Sequence, residues 1–276
     1  MSFFQNKVVV VTGASDGIGA ALAQELAKKG AYLSICARNE EKLQKIASIC
    51  QNLGAKKVIA LPTDVSNLEQ CKNFIQKTIE ILGTIHILIN NAGISMRACF
   101  VDTQISVIEK VMSVNFWGSV YCTKFALPDI IKNQGSIVVV SSVAGFKGLP
   151  ARTGYSASKF ALHGFFESLR CELQPDKVHV LVVCPGFTNT NIRNTALTAT
   201  GDTQKETPLD ESKLMSAEKV AKAIVRGIEK RKRTIVLTTE GKLTVLLNKF
   251  FPKFIDKKAY QKLSREPNTP LKPWKG

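Results

Sequence analysis

Asn115, Ser142, Tyr155 and Lys159 have the residue types and the order to move a proton. Tyr155 and Lys159 are four residues apart, so on a helix they share one face, a single turn from each other. A phenol beside a fixed ammonium is an acid–base device, because the positive charge favours phenolate. Free tyrosine titrates near ~10, and lowering it by about three pH units takes roughly 4 kcal/mol of preferential stabilisation of phenolate. Taken singly, these residues have plainer uses: a pair on a solvated helix face, a serine bonding backbone at a strand end, an asparagine at a helix kink. Their company singles them out. A glycine-rich turn lies near the N-terminus, Asn90-Asn-Ala-Gly93 precedes Asn115, and a second serine, Ser141, stands beside Ser142.

The elements that must position them follow from the apolar pattern. Strand-length runs at 7–12, 31–36, 57–61, 85–90, 136–141, 178–183 and 234–237 alternate with helix-like stretches. The latter begin near Ile18, Glu40, Leu68, Gln104, Tyr155 and Ala217. Strands alternating with helices imply right-handed crossovers and a mostly parallel sheet covered on both faces, an α/β doubly wound fold. No linker rich in Pro, Gly or Ser divides the chain, so residues 1–240 read as one domain. The polar stretch 194–216 is long for a loop in a compact domain, and loops of that length often act as lids. Residues 241–276 form a basic extension.

Thr12-Gly-Ala-Ser-Asp-Gly-Ile-Gly19 follows the first strand and opens the first helix. Glycines here let the backbone turn tightly and approach a pyrophosphate, and the helix N-terminus adds unpaired N–H groups and partial positive charge. Gly13, Ser15, Asp16, Gly17, Ile18 and Gly19 are therefore candidate cofactor-binding residues. The spacing is Gly-x3-Gly-x-Gly, not the GxGxxG fingerprint, so the dinucleotide rule applies by analogy. The alternative is a glycine-rich turn without a ligand. The end of the second strand chooses between cofactors. An acid there would bind the ribose hydroxyls of NAD, but the sequence is Cys36-Ala-Arg-Asn39. Arg38 can grip a 2′-phosphate with two hydrogen bonds, and NADP(H) is the expected cofactor. Asp16 is a counter-signal, because a carboxylate in the first loop could sit near that phosphate. Asp64 and Val65 follow the third strand, where a carboxylate can accept from an adenine amino group. Asn91, Ala92 and Gly93 allow close backbone approach after the fourth.

The chain has 276 residues, 45% of them hydrophobic, enough for a large core. No apolar run approaches the ~18–20 residues of a membrane span. The N-terminus shows no basic region, apolar core and cleavage site in succession, so a cytoplasmic protein is expected. The seven cysteines form no CxxC pair and read as small buried residues of a reducing compartment. The three histidines are scattered, and no metal site is expected. A net charge of +16 suits nucleic acid, a membrane or an anionic substrate. No nucleic-acid module accompanies it, and nucleic acid is not expected as a partner.

Six motifs stand in order: TGxxxGIG at 12–19, NNAG at 90–93, Asn115 in Ser-Val-Asn-Phe-Trp-Gly, Ser142 in Val-Ser-Ser-Val-Ala-Gly, YxASK at 155–159, and Pro185-Gly186. Over residues 5–240 the chain resembles the short-chain dehydrogenase/reductase family. Within it, the run from Tyr155 to Phe166 and Thr188-Asn-Thr-Asn-Ile are similar to the 11-beta-hydroxysteroid dehydrogenase-like and member-seven dehydrogenase/reductase branch. The resemblance implies a Rossmann-type sheet of about seven strands, carbonyl/alcohol redox chemistry with NAD(P), and homodimers or homotetramers. It implies Tyr155 as general acid, Lys159 on the nicotinamide ribose, Ser142 on the carbonyl oxygen and Asn115 holding a water that relays protons to Lys159. It places Pro185, Gly186, Thr188 and Thr190 near the nicotinamide carboxamide. One departure is His86, where the family commonly has Asp supporting structure near the adenine site. The branch handles lipophilic ketones, including steroids and lipid intermediates.

Ser95, Met96, Phe146, Leu149, Phe187 and the 194–216 loop should line the substrate side, and their apolar character favours a lipophilic carbonyl compound. In the extension, Leu243, Leu246, Leu247, Phe250, Phe251 and Phe254 form an amphipathic stripe that Pro252 divides into two short helices. Docking on the protein's own substrate pocket or on a subunit partner is the favoured use of the stripe. The other is weak peripheral contact with anionic membrane through residues 241–263. The leading function is an NADPH-dependent reductase of a lipophilic ketone. The alternatives are a reductase of 3-oxoacyl thioesters and an idle NADP-binding sensor or scaffold.

Overall fold

The computed structural model describes residues 2–205, 207 and 214–272. Strand β1 (Val8–Thr12) is buried along its whole length, as a strand covered on both faces must be. It is followed by β2 (Tyr32–Ala37), β3 (Val58–Pro62), β4 (Ile87–Asn90), β5 (Ser136–Val140) and β6 (His179–Cys184). A short parallel ribbon, β7 (Thr188–Asn189) with β8 (Met215–Ser216), precedes β9 (Thr234–Val236). The main sheet has seven strands in the order β3-β2-β1-β4-β5-β6-β9, every pair parallel. The order reverses between β1 and β4. A crevice opens at such a point outside the carboxyl ends of the strands.

Alternating strand residues feed two cores, as the two-residue period of a strand requires. Val9, Val11, Ile87 and Ile89 face α1 (Gly17–Lys28), α2 (Glu40–Asn52) and α7 (Ala217–Glu229). Val10, Leu88, Ile137 and Val139 face α3 (Leu68–Leu82), α5 (Gly118–Lys132) and α6 (Thr153–Glu172). Helix α4 (Ile105–Met112) adds a smaller cluster with Met96. The seven strands and six of these helices lie within two residues of the sequence expectation. Helix α5 was not expected. It contains Pro128, and what it buries is mostly small or polar, including Gly118, Ser119, Cys122 and Thr123, so its apolar period is faint. Five cysteines are buried, Cys171 is exposed and Cys99 lies between.

His86 corrects an expectation. It lies just before β4, at the end of the sheet away from Asn90, where its Nδ1 accepts the Val8 amide at 3.1 Å. It supports the β1–β4 pairing at the floor of the fold, not the adenine end.

Beyond β9 the chain makes α8 (Thr239–Phe250) and α9 (Pro252–Leu263), divided at Pro252. Leu243, Leu246, Phe250, Phe251 and Phe254 are each more than half exposed. The opposite side of the two helices, with Thr244, Ile255 and Leu263, faces a cavity at the carboxyl ends of the strands. The helices do dock on the protein's own pocket, but the hydrophobic stripe points outward. No helix among the described residues is long and apolar enough to cross a membrane.

Candidate active site

The glycine-rich turn is held from two sides. Thr12 Oγ1 accepts the amides of Asn91 and Ala92, each at 3.0 Å, and Asn91 Nδ2 donates to Thr12 O at 3.0 Å and Gly13 O at 3.2 Å. Gly13 has φ +67°, and a Cβ there would lie 2.7 Å from Ala92 Cα. A Cβ at Gly19 would lie 2.1 Å from Gly13 O. The turn therefore keeps an open cradle above the start of α1, fit for a pyrophosphate. Asp16 caps that helix, its Oδ1 accepting the Gly17 amide at 2.6 Å. Its negative charge suits the partial positive charge of the helix end, and the residue also lines the cavity.

One cavity of about 590 Å³ runs along the carboxyl ends of the strands. At its first end it is lined by Arg38, Asn39 and Lys42, with Asp64 and Val65 beside them. Arg38 is exposed. Asp64 Oδ1 accepts from the Ser66 amide and hydroxyl, at 2.9 and 2.7 Å, and Oδ2 lies 3.9 Å from Lys110 Nζ. Burial pushes the Asp64 carboxyl up, but the Ser66 bonds and the Lys110 and Arg38 charges outweigh it and hold the group below its usual range. The middle is lined by Gly13, Ser15, Asp16, Gly17 and Ile18, and by Asn91, Ala92 and Gly93. Gly19 packs behind the turn and does not line it.

Ser142, Tyr155 and Lys159 meet at the centre. The first turn of α6 starts at Thr153, so Tyr155 and Lys159 sit one turn apart on the face toward β5. Lys159 is buried and donates to Val140 O at 2.9 Å. Its Nζ stands 5.7 Å from the Tyr155 ring centroid. Burial lowers the Lys159 ammonium to about 8. Tyr155 is half-buried. Burial raises its phenol, while a hydrogen bond from Ser142 and the Arg152 charge pull the other way. Ser142 Oγ accepts the Ala144 amide at 3.1 Å, which leaves its hydroxyl proton free to be donated. Without a ligand the surroundings favour the neutral, protonated phenol.

Asn115 does not line the cavity. It is buried in a π-helical bulge, Ser113–Trp117, between α4 and α5. Its Oδ1 accepts the Ile94 amide at 2.8 Å, and Nδ2 donates to Ile94 O at 3.0 Å and Ser158 Oγ at 2.9 Å. The side chain thus ties the loop after β4 to α6. A Cβ on Gly93 would lie 3.2 Å from Asn115 Oδ1 and 3.5 Å from Lys159 Nζ, so this glycine keeps the lysine's surroundings open.

Pro185, Gly186, Phe187, Thr188 and Thr190 line the cavity beyond the centre, with Ser95 and Leu149. Two expected substrate residues do not. Met96 is fully buried. Phe146 turns into the core, its ring 4.4 Å from that of His163. In the 194–216 loop, Thr195 lines the cavity, and residues 206 and 208–213 lie outside the described residues. Sequence reasoning missed Lys147, Arg152, Thr238 and the inner faces of α8 and α9. Arg152 could have been found from its position three residues before Tyr155. The helix faces could not, because the apolar stripe marks the opposite side.

The sequence pattern of the family described as short chain dehydrogenase matches residues 7–200. The chain is 41% identical over 251 residues to 11-beta-hydroxysteroid dehydrogenase-like 2 of Arabidopsis thaliana, covering 91% of this chain and 79% of that one. It is 36% identical over 258 residues to dehydrogenase/reductase SDR family member 7B of Xenopus laevis, covering 91% and 80%. A crystal structure of a short chain dehydrogenase/reductase from Burkholderia phymatum in complex with NAD superposes with a TM-score of 0.81 at 26% identity, covering 99% of this chain and 100% of that one. An alcohol dehydrogenase from Thermococcus sibiricus complexed with 5-hydroxy-NADP gives a TM-score of 0.73 at 25% identity, covering 84% and 96%.

Proposed function

The chain belongs to the short chain dehydrogenase family, an oxidoreductase family acting on alcohol and carbonyl groups, and from that premise we propose that it is an NADP(H)-dependent reductase of a lipophilic ketone. The observation that carries this reading is the meeting of Ser142, Tyr155 and Lys159 on one cavity, with Arg38 and Lys42 at one end and α8 and α9 at the other. The open glycine cradle fits a dinucleotide. Arg38 and Lys42, with no acid at the end of β2, favour a 2′-phosphate over bare ribose hydroxyls.

NADPH, when bound, supplies the hydride. Ser142 donates its hydroxyl proton in a hydrogen bond to the substrate carbonyl oxygen, polarising it. Tyr155 transfers its phenolic proton to the same oxygen. The Lys159 ammonium stabilises the phenolate that remains, and Asn115 keeps the loop after β4 and α6 in register. Ile192, Leu149, Ile255 and Leu263 give the substrate end an apolar lining. The test is NADPH oxidation by the purified chain across ketosteroids, long-chain keto lipids, 3-oxoacyl thioesters and small diketones, with NADH in parallel. Turnover of a lipophilic ketone with NADPH preferred at least tenfold is expected, and Arg38→Asp should move that preference toward NADH. Preference for NADH, or a ratio unmoved by Arg38→Asp, contradicts the cofactor assignment. Turnover of thioesters alone contradicts the substrate class.

The outward stripe on α8 and α9 serves this reading. Five exposed apolar side chains stand with Lys242, Lys249, Lys253 and Lys257, also exposed, the pattern of a helix lying on an anionic lipid surface. The same helices line the cavity, so a lipid-dissolved ketone would meet the pocket at that surface. Co-sedimentation with phosphatidylserine vesicles is expected, weakened by salt and by Phe250→Ser with Phe251→Ser. Absence of salt-sensitive co-sedimentation with phosphatidylserine vesicles would remove the anionic membrane surface from the account.

A further inference from the structure

Glu266 lies far beyond the catalytic residues in the chain and is folded back against Arg97 and Arg152. Its buried carboxylate takes Arg97 Nε at 3.2 Å and Arg152 Nη2 at 3.0 and 3.2 Å. Arg97 Nη2 also donates to Pro267 O at 2.6 Å, and Cys99 Sγ to Pro270 O at 3.2 Å. All three charged side chains are more than nine-tenths buried. Among the described residues, two cations share one carboxylate, which leaves the cluster with an excess of positive charge. Fastening a segment with buried ions is weakly favourable at best, whereas apolar packing would do it readily. The cluster is better explained by what the charge faces.

Arg152 is the member that also lines the catalytic cavity. It stands at the N-cap of α6, three positions before Tyr155, the spacing at which helix neighbours meet. The groups acting on Tyr155 are Arg152 at the N-cap of its helix, Ser142 after β5 and Cys184 from β6, with Lys159 Nζ 5.7 Å from its ring centroid. Glu266 and Arg97 stand behind Arg152. We propose that Arg152 is a positioning residue acting on the reaction through Tyr155, and that Glu266 holds it there, so that the C-terminal segment completes the active site. The proposal rests on the reading of Tyr155 as proton donor. Its use is distinct from that of Lys159. A guanidinium keeps its charge throughout the working pH range, whereas the buried Lys159 ammonium gives way near 8. Arg152 thus supports phenolate where Lys159 no longer does.

The test is a titration of the full chain labelled at tyrosine Cζ, saturated with NADP+. The chain has four tyrosines, and the resonance lost in Tyr155→Phe identifies Tyr155. Arg152→Gln keeps donors for Glu266 without the charge, and is expected to raise the Tyr155 midpoint by about one pH unit. Arg152→Lys is expected to stay near wild type. In a Glu266→Ala background, Arg152→Gln should lose most of its effect. A midpoint unmoved by Arg152→Gln overturns the proposal. An equal shift with Glu266 removed overturns the part given to the C-terminal segment. If Arg152→Gln does not fold, a Lys variant that titrates about one pH unit above wild type counts against a charge-based role. Wild-type turnover in Tyr155→Phe would instead defeat the proton-donor reading beneath it, a result separate from either titration outcome.

Discussion

Tyr155→Phe is expected to lower turnover by about 10²–10⁴-fold, the usual contribution of a positioned general acid, while NADPH affinity stays within about threefold of wild type. The substitution removes one hydroxyl from a ring that is half-buried and leaves its packing in place. The glycine cradle, Arg38 and Asn91 are untouched. Ser142 still polarises the carbonyl, so some hydride transfer with a proton from solvent remains. The separation of the two quantities is the diagnostic result. Fluorescence titration with NADPH and steady-state rates on the same preparation measure it. Retention of more than a few per cent of the rate would assign the proton to another group.

Lys159→Met is expected to abolish measurable turnover and yet stabilise the ligand-free protein at pH 7. Burial holds the ammonium at about 8, against the usual 10.5. That difference corresponds to a penalty on the order of 3 kcal/mol for keeping the charge inside. Methionine fills a similar volume without charge. It gives up the bond to Val140 O, a loss of roughly 1–2 kcal/mol, leaving a net gain of about 1–2 kcal/mol. For a chain of this size that is a rise of a few degrees in melting temperature. The pH dependence has a definite sign. Below pH 8 both folded and unfolded lysine carry the proton and the penalty is in full force. Between 8 and 10.5 the folded lysine is neutral while the unfolded one is still charged, so wild-type stability rises with pH. The advantage of methionine should therefore shrink across that window. A lower melting temperature than wild type at pH 7, or an advantage that grows with pH, contradicts this account. A higher melting temperature combined with lost turnover would show that the lysine is kept for chemistry at the expense of stability.

The strands were readable because buried parallel strands are written as uninterrupted runs, such as Val8–Thr12, bounded by polar residues, glycine or proline. The meeting of Ser142, Tyr155 and Lys159 on one cavity was readable because it depends on one helical spacing and on a serine at a strand end. What was not readable depended on contacts distant in sequence. The seat of Asn115 in a π bulge, with its amide bonded to Ile94 and Ser158, is not written in its neighbours in the sequence. Phe146 looks like a pocket wall, but His163 offers it a closer partner. Nothing local in Glu266 shows that two arginines more than a hundred positions away will enclose it. The stripe from Leu243 to Phe254 is amphipathic, and the usual inference sends the apolar side inward. Here the inner side is a mixed surface, with Thr244 and Lys258 beside Ile255 and Leu263.

That division of labour along the chain bears on how such a protein diversifies. The groups placed at the proton transfer all precede residue 160, whereas much of the wall opposite them comes from residues after 238. A recombination event, an altered stop codon or a grafted terminus could exchange that wall in one step, leaving Ser142, Tyr155 and Lys159 unaltered. Only the seat for Arg152 would have to be inherited with the new terminus. Retargeting the pocket and retaining its chemistry are then separable events, joined by a single acidic residue.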